Sequence, residues 1–210
     1  MQKRRNNGII LQHCNQPTLK HITNRLNLSK PLVFYGLALS CVFISLQAFA
    51  SSLRYERTLI LQGEVWRLLT AHFVHINFTH LALNLLGLWL FLWLFASLFK
   101  AKHLTLMLVF ISLGISSLLL LLVPQVQWYL GFSGVLYGLF MGGGIKAVAQ
   151  KQQRFGYALI GLIILKLTWD TYNNHSNLST QLIGAPVLSI AHWFGIILGA
   201  LAALPSFYKK

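Results

Sequence analysis

Two residues that could act together as nucleophile and base interrupt apolar segments of this 210-residue chain. Ser133 lies in the run Gly131, Phe132, Ser133, Gly134, which opens one apolar segment, and His192 lies within another. The glycines permit a tight turn that exposes the serine hydroxyl at a helix N-terminus, where free backbone N–H groups can face a developing negative charge. A serine needs a base to become a nucleophile, and His192 is the candidate. The pair predicts acyl-transfer chemistry.

Each half of this pair has a structural alternative. A Gly/Ser run in a membrane helix is more often a packing seam, and a lone histidine there is more often a hydrogen-bonded structural residue. However, His192 is followed by Gly195 and Gly199 in an HxxGxxxG pattern, which puts all three on nearly one helical face. This face is expected to pack closely against the segment that starts at Ser133.

His80 and Asn84 could supply the third part of such a site. They are four residues apart, so on a helix their side chains point the same way and can present two donors to one place. Acyl transfer needs donors of this kind for the tetrahedral oxyanion. A polar contact between helices explains the same spacing equally well.

Other polar residues carry weaker predictions. Lys166 and Asp170 are four apart, which favours an ion pair within one helix over a contact with substrate. His72, His75 and His80 could be combined as a zinc site, but their spacing and the lack of a nearby Glu or further ligand argue against a metal. We therefore predict no metal and no cofactor.

The composition indicates a polytopic membrane protein. Hydrophobic residues make up 56% of the chain, charged residues only 10%, and the mean hydropathy is +0.63. The net charge of +14 would suggest nucleic acid, but the 17 basic residues fall at the ends of apolar segments and form no basic patch interleaved with aromatics. We predict no nucleic-acid partner. The expected partner is the lipid bilayer.

The apolar segments predict an all-α fold with six membrane helices. A basic, polar tail occupies residues 1–30, the membrane domain occupies residues 31–208, and residues 51–77 form an amphipathic segment expected at the membrane interface. A polar stretch at 173–177 is expected to form an external cap. The predicted spans cover about 31–50, 78–99, 103–123, 133–148, 155–171 and 188–208.

Basic residues predict the orientation of these spans. Thirteen Lys and Arg residues flank one side, whereas only Arg54, Arg57 and Arg67 flank the other. Because basic residues concentrate on the cytoplasmic side, both termini are expected in the cytoplasm and Ser133 in the outer half of the membrane.

These motifs together resemble the rhomboid family of intramembrane proteases over residues 32–206. The matching positions are Trp66 and Arg67 for the WR motif, His75, His80 and Asn84 for HxxxxHxxxN, Gly131 to Gly134 for the serine motif, Tyr137 for the tyrosine beside the catalytic histidine, and His192, Gly195 and Gly199 for the last catalytic helix. Phe132 departs from the pattern, since many rhomboids have a small residue there, and this predicts a narrower site or an altered choice of substrate.

The resemblance implies a serine endopeptidase with a six-helix rhomboid-like bundle. Ser133 would attack the scissile carbonyl, His192 would act as general base and then acid, and His80, Asn84 and the Ser133 N–H would stabilise the oxyanion. The substrates would be membrane proteins cut at a transmembrane helix. The short chain also resembles the bacterial rhombosortases, as do Lys166, Trp169 and Asp170. That subgroup implies a multi-pass protein of the bacterial inner membrane whose substrates carry a C-terminal GlyGly-type sorting helix.

Two other functions fit parts of the sequence. A catalytically inactive, client-binding rhomboid-like protein would share the fold, although such proteins usually lack the serine or the histidine. A small membrane transporter would also carry intramembrane His, Lys and Asp, but no internal repeat or pair of discontinuous helices is present in the sequence.

Overall fold

Six helices of 15 residues or more make up most of the structure, a computed structural model that describes residues 30–173 and 178–204. The predicted tail before residue 30, most of the predicted cap and the end of the sixth predicted span lie outside the described residues. We number all helices in chain order. The long ones are α1 (Lys30–Leu46), α5 (Phe78–Phe95), α6 (Ala101–Leu122), α7 (Ser133–Ala149), α8 (Gln153–Tyr172) and α10 (Ser189–Ala203).

The predicted spans correspond to these helices, but their capacity to cross a membrane differs. Three stretches are long and apolar enough to do so, namely Lys30–Leu53, α5 and α6. Helices α7 and α10 are apolar but have 17 and 15 residues in the described part of the chain. Helix α8 has 20 residues but is less apolar than the other long helices, because it includes charged side chains. Six crossings therefore remain a prediction.

The amphipathic segment between α1 and α5 is folded from several short elements. These are a 3-10 turn (Gln47–Phe49), α2 (Ala50–Leu53), β1 (Tyr55–Glu56), α3 (Arg57–Leu61), α4 (Arg67–Thr70) and a second 3-10 turn (Ala71–Phe73). One side of the segment is buried in the bundle, including Tyr55 and Val74, and the other exposes apolar side chains such as Trp66. This division agrees with its amphipathic pattern, and its position at a membrane interface remains a prediction.

A two-stranded ribbon is the exception to the predicted all-α fold class. Strand β1 pairs antiparallel with β2 (Trp128–Tyr129), which lies between α6 and α7. Tyr55 pairs with Tyr129, and both side chains are buried. The ribbon therefore ties the segment after α1 to the turn that leads into the serine.

Helix α7 lies at the centre and packs most closely against α10. A Cβ atom at Gly195 would lie 2.0 Å from the Gly134 carbonyl oxygen, and one at Gly199 would lie 2.0 Å from that of Gly138. Since real Cβ atoms essentially never come closer than 3.0 Å, only glycine allows the two backbones to approach in this way. The predicted small-residue face of α10 is in contact with α7.

Candidate active site

The hydroxyl of Ser133 meets the imidazole of His192 across α7 and α10. Ser133 Oγ lies 2.8 Å from His192 Nε2, a normal hydrogen-bond distance. Ser133 is the first residue of α7 and is half-buried, whereas His192 lies in the first turn of α10 and is 5% exposed. The two residues are 59 positions apart in the sequence, so packing of the two helices creates this pair.

The serine is presented by a glycine turn that two other elements hold in place. Gly131 has φ +121°, which side chains rarely tolerate, and a Cβ there would lie 2.5 Å from His80 Cε1. The Gly131 N–H donates to the Ala71 carbonyl at 2.9 Å, and the Tyr129 hydroxyl donates to the Gly131 carbonyl at 3.0 Å. Both the N–H and the carbonyl of Gly131 are thus hydrogen-bonded, which fixes the backbone before Ser133.

The tautomer of His192 decides whether this histidine can act as a base. Accepting the Ser133 proton at Nε2 requires that the ring carry its own proton on Nδ1. Within residues 30–173 and 178–204, Nδ1 has no hydrogen-bond partner. No carboxylate of the described chain therefore forms a hydrogen bond with this nitrogen.

Tyr137 packs flat against the imidazole, one turn beyond the serine on α7. The two ring centroids are 4.5 Å apart with an interplanar angle of 25°. The Tyr137 hydroxyl lies 3.5 Å from Asp170 Oδ2 on α8, and Lys166 Nζ contacts the same oxygen as an ion pair. The predicted pairing of Lys166 with Asp170 is thus present, and it lies beside the histidine.

His80 and Asn84 lie on the face of α5 that points toward the serine turn. Asn77 caps this helix by accepting the His80 N–H at 2.9 Å, and the Ile76 N–H approaches His80 Nδ1 at 3.5 Å. A donor at Nδ1 leaves the ring proton on Nε2, where it can be donated. Asn84 is 3% exposed, and its Nδ2 has no partner in the described part of the chain.

One cavity joins all these groups. Its volume is about 920 Å³, and it is bounded mainly by apolar side chains of α5, α8 and the segment before α10. The polar and charged groups that line it include Ser133, His192, His80, Asn84, Lys166 and Asp170. The cavity is large enough to hold several residues of an extended peptide next to the hydroxyl.

The remaining predicted site residues lie outside the cavity lining. Arg67 is 5% exposed and donates from Nε to Glu64 at 2.6 Å and from Nη1 to the Arg54 carbonyl at 2.9 Å, whereas Trp66 is exposed. His75 is buried against His80, with ring centroids 5.0 Å apart, and burial followed by the His80 charge lowers its pKa to about 3. The hydrogen bonds of Arg67 and the packing of His75 hold the segment before α5 in place.

Two residues that support the site were not singled out in the sequence. Tyr129 carries the hydrogen bond that fixes the serine turn, and its position two residues before a glycine gave no separate signal. Asn77 could have been found, because an Asn directly before an apolar run is a helix N-cap signature.

Phe132 does not narrow the cavity, contrary to the sequence-based expectation. Its side chain is fully buried and packs edge-on against Phe43 of α1, with centroids 4.9 Å apart. The helical start at Ser133 turns the preceding side chain toward the core and away from the cavity. The departure from the family pattern at this position is thus a matter of packing.

The three histidines considered for metal binding have other neighbours. His72 Nε2 lies 3.0 Å from Ser116 Oγ, and burial lowers the His72 pKa to about 4. No group of three or more possible metal ligands occurs among the described residues.

Comparison with known proteins identifies the family. The sequence matches the Rhomboid domain over residues 62–209, which is well over half of the chain and includes every residue of the cavity described above. A search of curated proteins returned no match. The apolar helices agree with a protein that resides in a membrane. The chain belongs to the rhomboid family of intramembrane proteases.

Proposed function

We propose that this protein is an intramembrane serine endopeptidase that works through a Ser133–His192 dyad. The observation that carries the proposal is the 2.8 Å approach of Ser133 Oγ to His192 Nε2 inside a large, mainly apolar cavity. A structural hydrogen bond would explain the distance alone. It would not explain why the pair faces a cavity that is also lined by two further potential donors, the His80 imidazole and the Asn84 amide.

In the first half of the reaction, Ser133 Oγ attacks the scissile carbonyl carbon while its proton moves to His192 Nε2. The imidazolium then gives that proton to the leaving amine as the C–N bond breaks, which leaves an acyl-enzyme on Ser133. The flat contact with Tyr137 keeps the ring in the plane needed for both transfers. In the second half, water attacks the ester and the same nitrogen receives and returns a proton.

The oxyanion is held by three kinds of donor in this proposal. The N–H of Ser133 is among the first four of α7, which have no partner within the helix. His80 Nε2 and Asn84 Nδ2 add side-chain donors from α5, and both residues line the cavity. Removing one such donor typically lowers kcat by about 10²–10³-fold.

The substrates we propose are membrane proteins cut at a transmembrane or C-terminal sorting helix. A helix satisfies its own backbone groups in lipid, so it must unwind locally before its carbonyl can be attacked. The cavity offers a place where this can occur, because its mainly apolar lining also includes the polar side chains of Ser133, His192, His80 and Asn84. We further propose the rhombosortase subgroup, GlyGly-type substrates and a bacterial inner-membrane location with both termini cytoplasmic. Their support is the sequence resemblance and the distribution of basic residues.

Two substitutions and a chemical probe test the proposal. Purified protein is treated with an alkyl fluorophosphonate, which phosphonylates an activated serine as fluoride leaves. Wild type should be labelled, whereas Ser133→Ala and His192→Ala should not, although all three should unfold at similar temperatures. Co-expression with secreted proteins that end in an apolar helix should yield a shortened product with wild type only.

The alternatives give different results in the same experiments. An inactive client-binding protein would retain such substrates uncut and leave Ser133 unlabelled. A transporter would show solute flux in liposomes that Ser133→Ala does not alter. Labelling or cleavage that survives both Ser133→Ala and His192→Ala would refute the dyad.

A further inference from the structure

The only acidic residues of the chain are Glu56, Glu64 and Asp170. The two glutamates are paired with Arg54 and Arg67 in the segment before α5. Asp170 is different, because it lines the same cavity as the dyad and lies on α8. A charged residue in an apolar cavity is costly and usually has a function.

Asp170 reaches the histidine through one side chain. The Tyr137 hydroxyl donates to Asp170 Oδ2 at 3.5 Å. The phenol ring of the same residue stacks on the His192 imidazole, with the ring centroids 4.5 Å apart. A tyrosine ring in contact with an imidazole only by its face can slide or tilt. A hydrogen bond at the far end of the ring fixes its orientation, and the orientation of the imidazole follows.

Lys166 holds the carboxylate in the position that this contact needs. It is one helical turn before Asp170 and forms an ion pair with the same oxygen that Tyr137 contacts. The Asp170 side chain is 14% exposed and that of Lys166 is 53% exposed, so the carboxylate is largely enclosed by the protein whereas about half of the lysine side chain is not.

A second hydrogen bond ties the same turn of α8 to α10. Trp193 Nε1 donates to Thr171 Oγ1 at 3.1 Å. Trp193 follows His192 in the sequence, and Thr171 follows Asp170. The end of α8 is therefore hydrogen-bonded both to Tyr137, which stacks on His192, and to Trp193, which is next to His192 on α10.

We propose that Asp170, kept in place by Lys166, is a positioning residue for His192 and acts through the Tyr137 hydroxyl. It takes the place that a carboxylate on Nδ1 has in a triad, but it orients the imidazole without touching it. No proton passes to Asp170 in this scheme, since the phenol ring lies between the two groups. The inference rests on the proposed function, because a positioned base matters only if Ser133 is a nucleophile.

The test measures fluorophosphonate labelling of the full-length protein as a function of probe concentration. Maximal rate and half-saturating concentration are compared for Asp170→Ala, Tyr137→Phe and the double variant. Each single change is expected to lower the maximal rate about fivefold and to leave half-saturation unchanged, because one hydrogen bond is lost. The double variant should be no more than about twofold slower than the slower single one, because both changes break the same connection.

Two further variants keep the test decisive if Asp170→Ala destabilises the protein by leaving Lys166 unpaired. Lys166→Met with Asp170→Leu removes both charges at similar volume, and it should fold normally yet label at the Asp170→Ala rate. Leu165→Ala, on the exposed face of the same helix, is the matched control and should label like wild type.

Additive losses in the double variant would overturn the inference, as would a change in half-saturation alone, which indicates contact with the probe. Normal labelling by the charge-free variant would overturn it as well. These results differ from failure of the proposed function, in which wild type itself is not labelled and the inference is lost with it.

Discussion

Replacing Gly195 by alanine is the most direct way to separate the two residues of the proposed dyad without changing either. The new Cβ would lie 2.0 Å from the Gly134 carbonyl oxygen and 3.0 Å from its carbon. Both atoms belong to backbone at the start of α7, so no side chain can rotate away. The helices must move apart instead.

The size of that movement follows from the contact distance. A Cβ–oxygen separation below 3.0 Å is essentially never found, so α10 must shift by at least about 1 Å. Gly195 is one turn after His192, and the shift is therefore passed to the histidine almost in full. The 2.8 Å hydrogen bond between Ser133 and His192 would lengthen to roughly 3.8 Å, which is no longer a hydrogen bond. A misplacement of about 1 Å can cost about 10²-fold in rate.

The assay is the initial rate of Ser133 labelling, paired with thermal unfolding in detergent. Gly195→Ala should label about 10²-fold more slowly and lose about 1–3 kcal/mol of stability through overpacking. Gly161→Ala is the matched control, since Gly161 lies on α8 with nothing within 4 Å of the added carbon. Wild-type labelling by Gly195→Ala, with an unchanged unfolding temperature, would refute the reasoning and the close packing on which it rests.

Three further predictions concern the donors, the core and pH. His80→Ala and Asn84→Ala should each slow cleavage of a membrane-helix reporter by about 10²–10³-fold, because each removes one of the proposed oxyanion donors. Phe132→Ala should lower the free energy of unfolding by about 3–5 kcal/mol and leave the ranking of substrates unchanged, because the ring lies in the core. Stability should fall as pH falls from about 6.5 toward about 3, because the imidazole of His75 binds a proton in the unfolded chain but not when buried. Unfolding temperatures at about pH 7.5 and 4.5 measure this, and His75→Gln should show a smaller difference.

Each of these predictions has a clear contrary result. Full turnover in both variants would show that α5 supplies no donor to the oxyanion. A change of substrate preference in the Phe132 variant would mean that the ring reaches the cavity after all. An equal pH response in wild type and the His75 variant would show that other groups dominate.

The positions of the long helices could be predicted because a membrane imposes a simple rule on sequence. Apolar runs of sufficient length predicted α1, α5 and α6 within a few residues at most ends. The pairing of Lys166 with Asp170 was predicted for a similar reason, since four-residue spacing fixes which side chains meet on one helix. Local periodicity determines both features.

The segment between α1 and α5 could not be predicted in detail. Its ribbon is only two residues per strand, and its partner strand is more than 70 positions away, before α7. Nothing in the local pattern of Tyr55 or Tyr129 specifies that pairing, because tertiary packing selects it. The same holds for the direction of Phe132, which depends on where α7 begins, and for the contact of Tyr137 with Asp170, which depends on how α8 packs.

The candidate dyad depends both on local sequence and on tertiary packing. Residue types indicated Ser133 and His192, but neither the serine motif nor the histidine specifies a distance. The distance arises from a seam in which Gly195 and Gly199 bring the α10 backbone against α7. Glycines at a helix contact bury less apolar surface than larger residues would. The seam therefore brings the two helices close together at some cost in stability. Larger residues in the seam would fill space better and separate His192 from Ser133. We therefore expect that substitutions along this seam which preserve folding will still lower activity, and that the loss will be greater near Gly195 than one turn further along at Gly199.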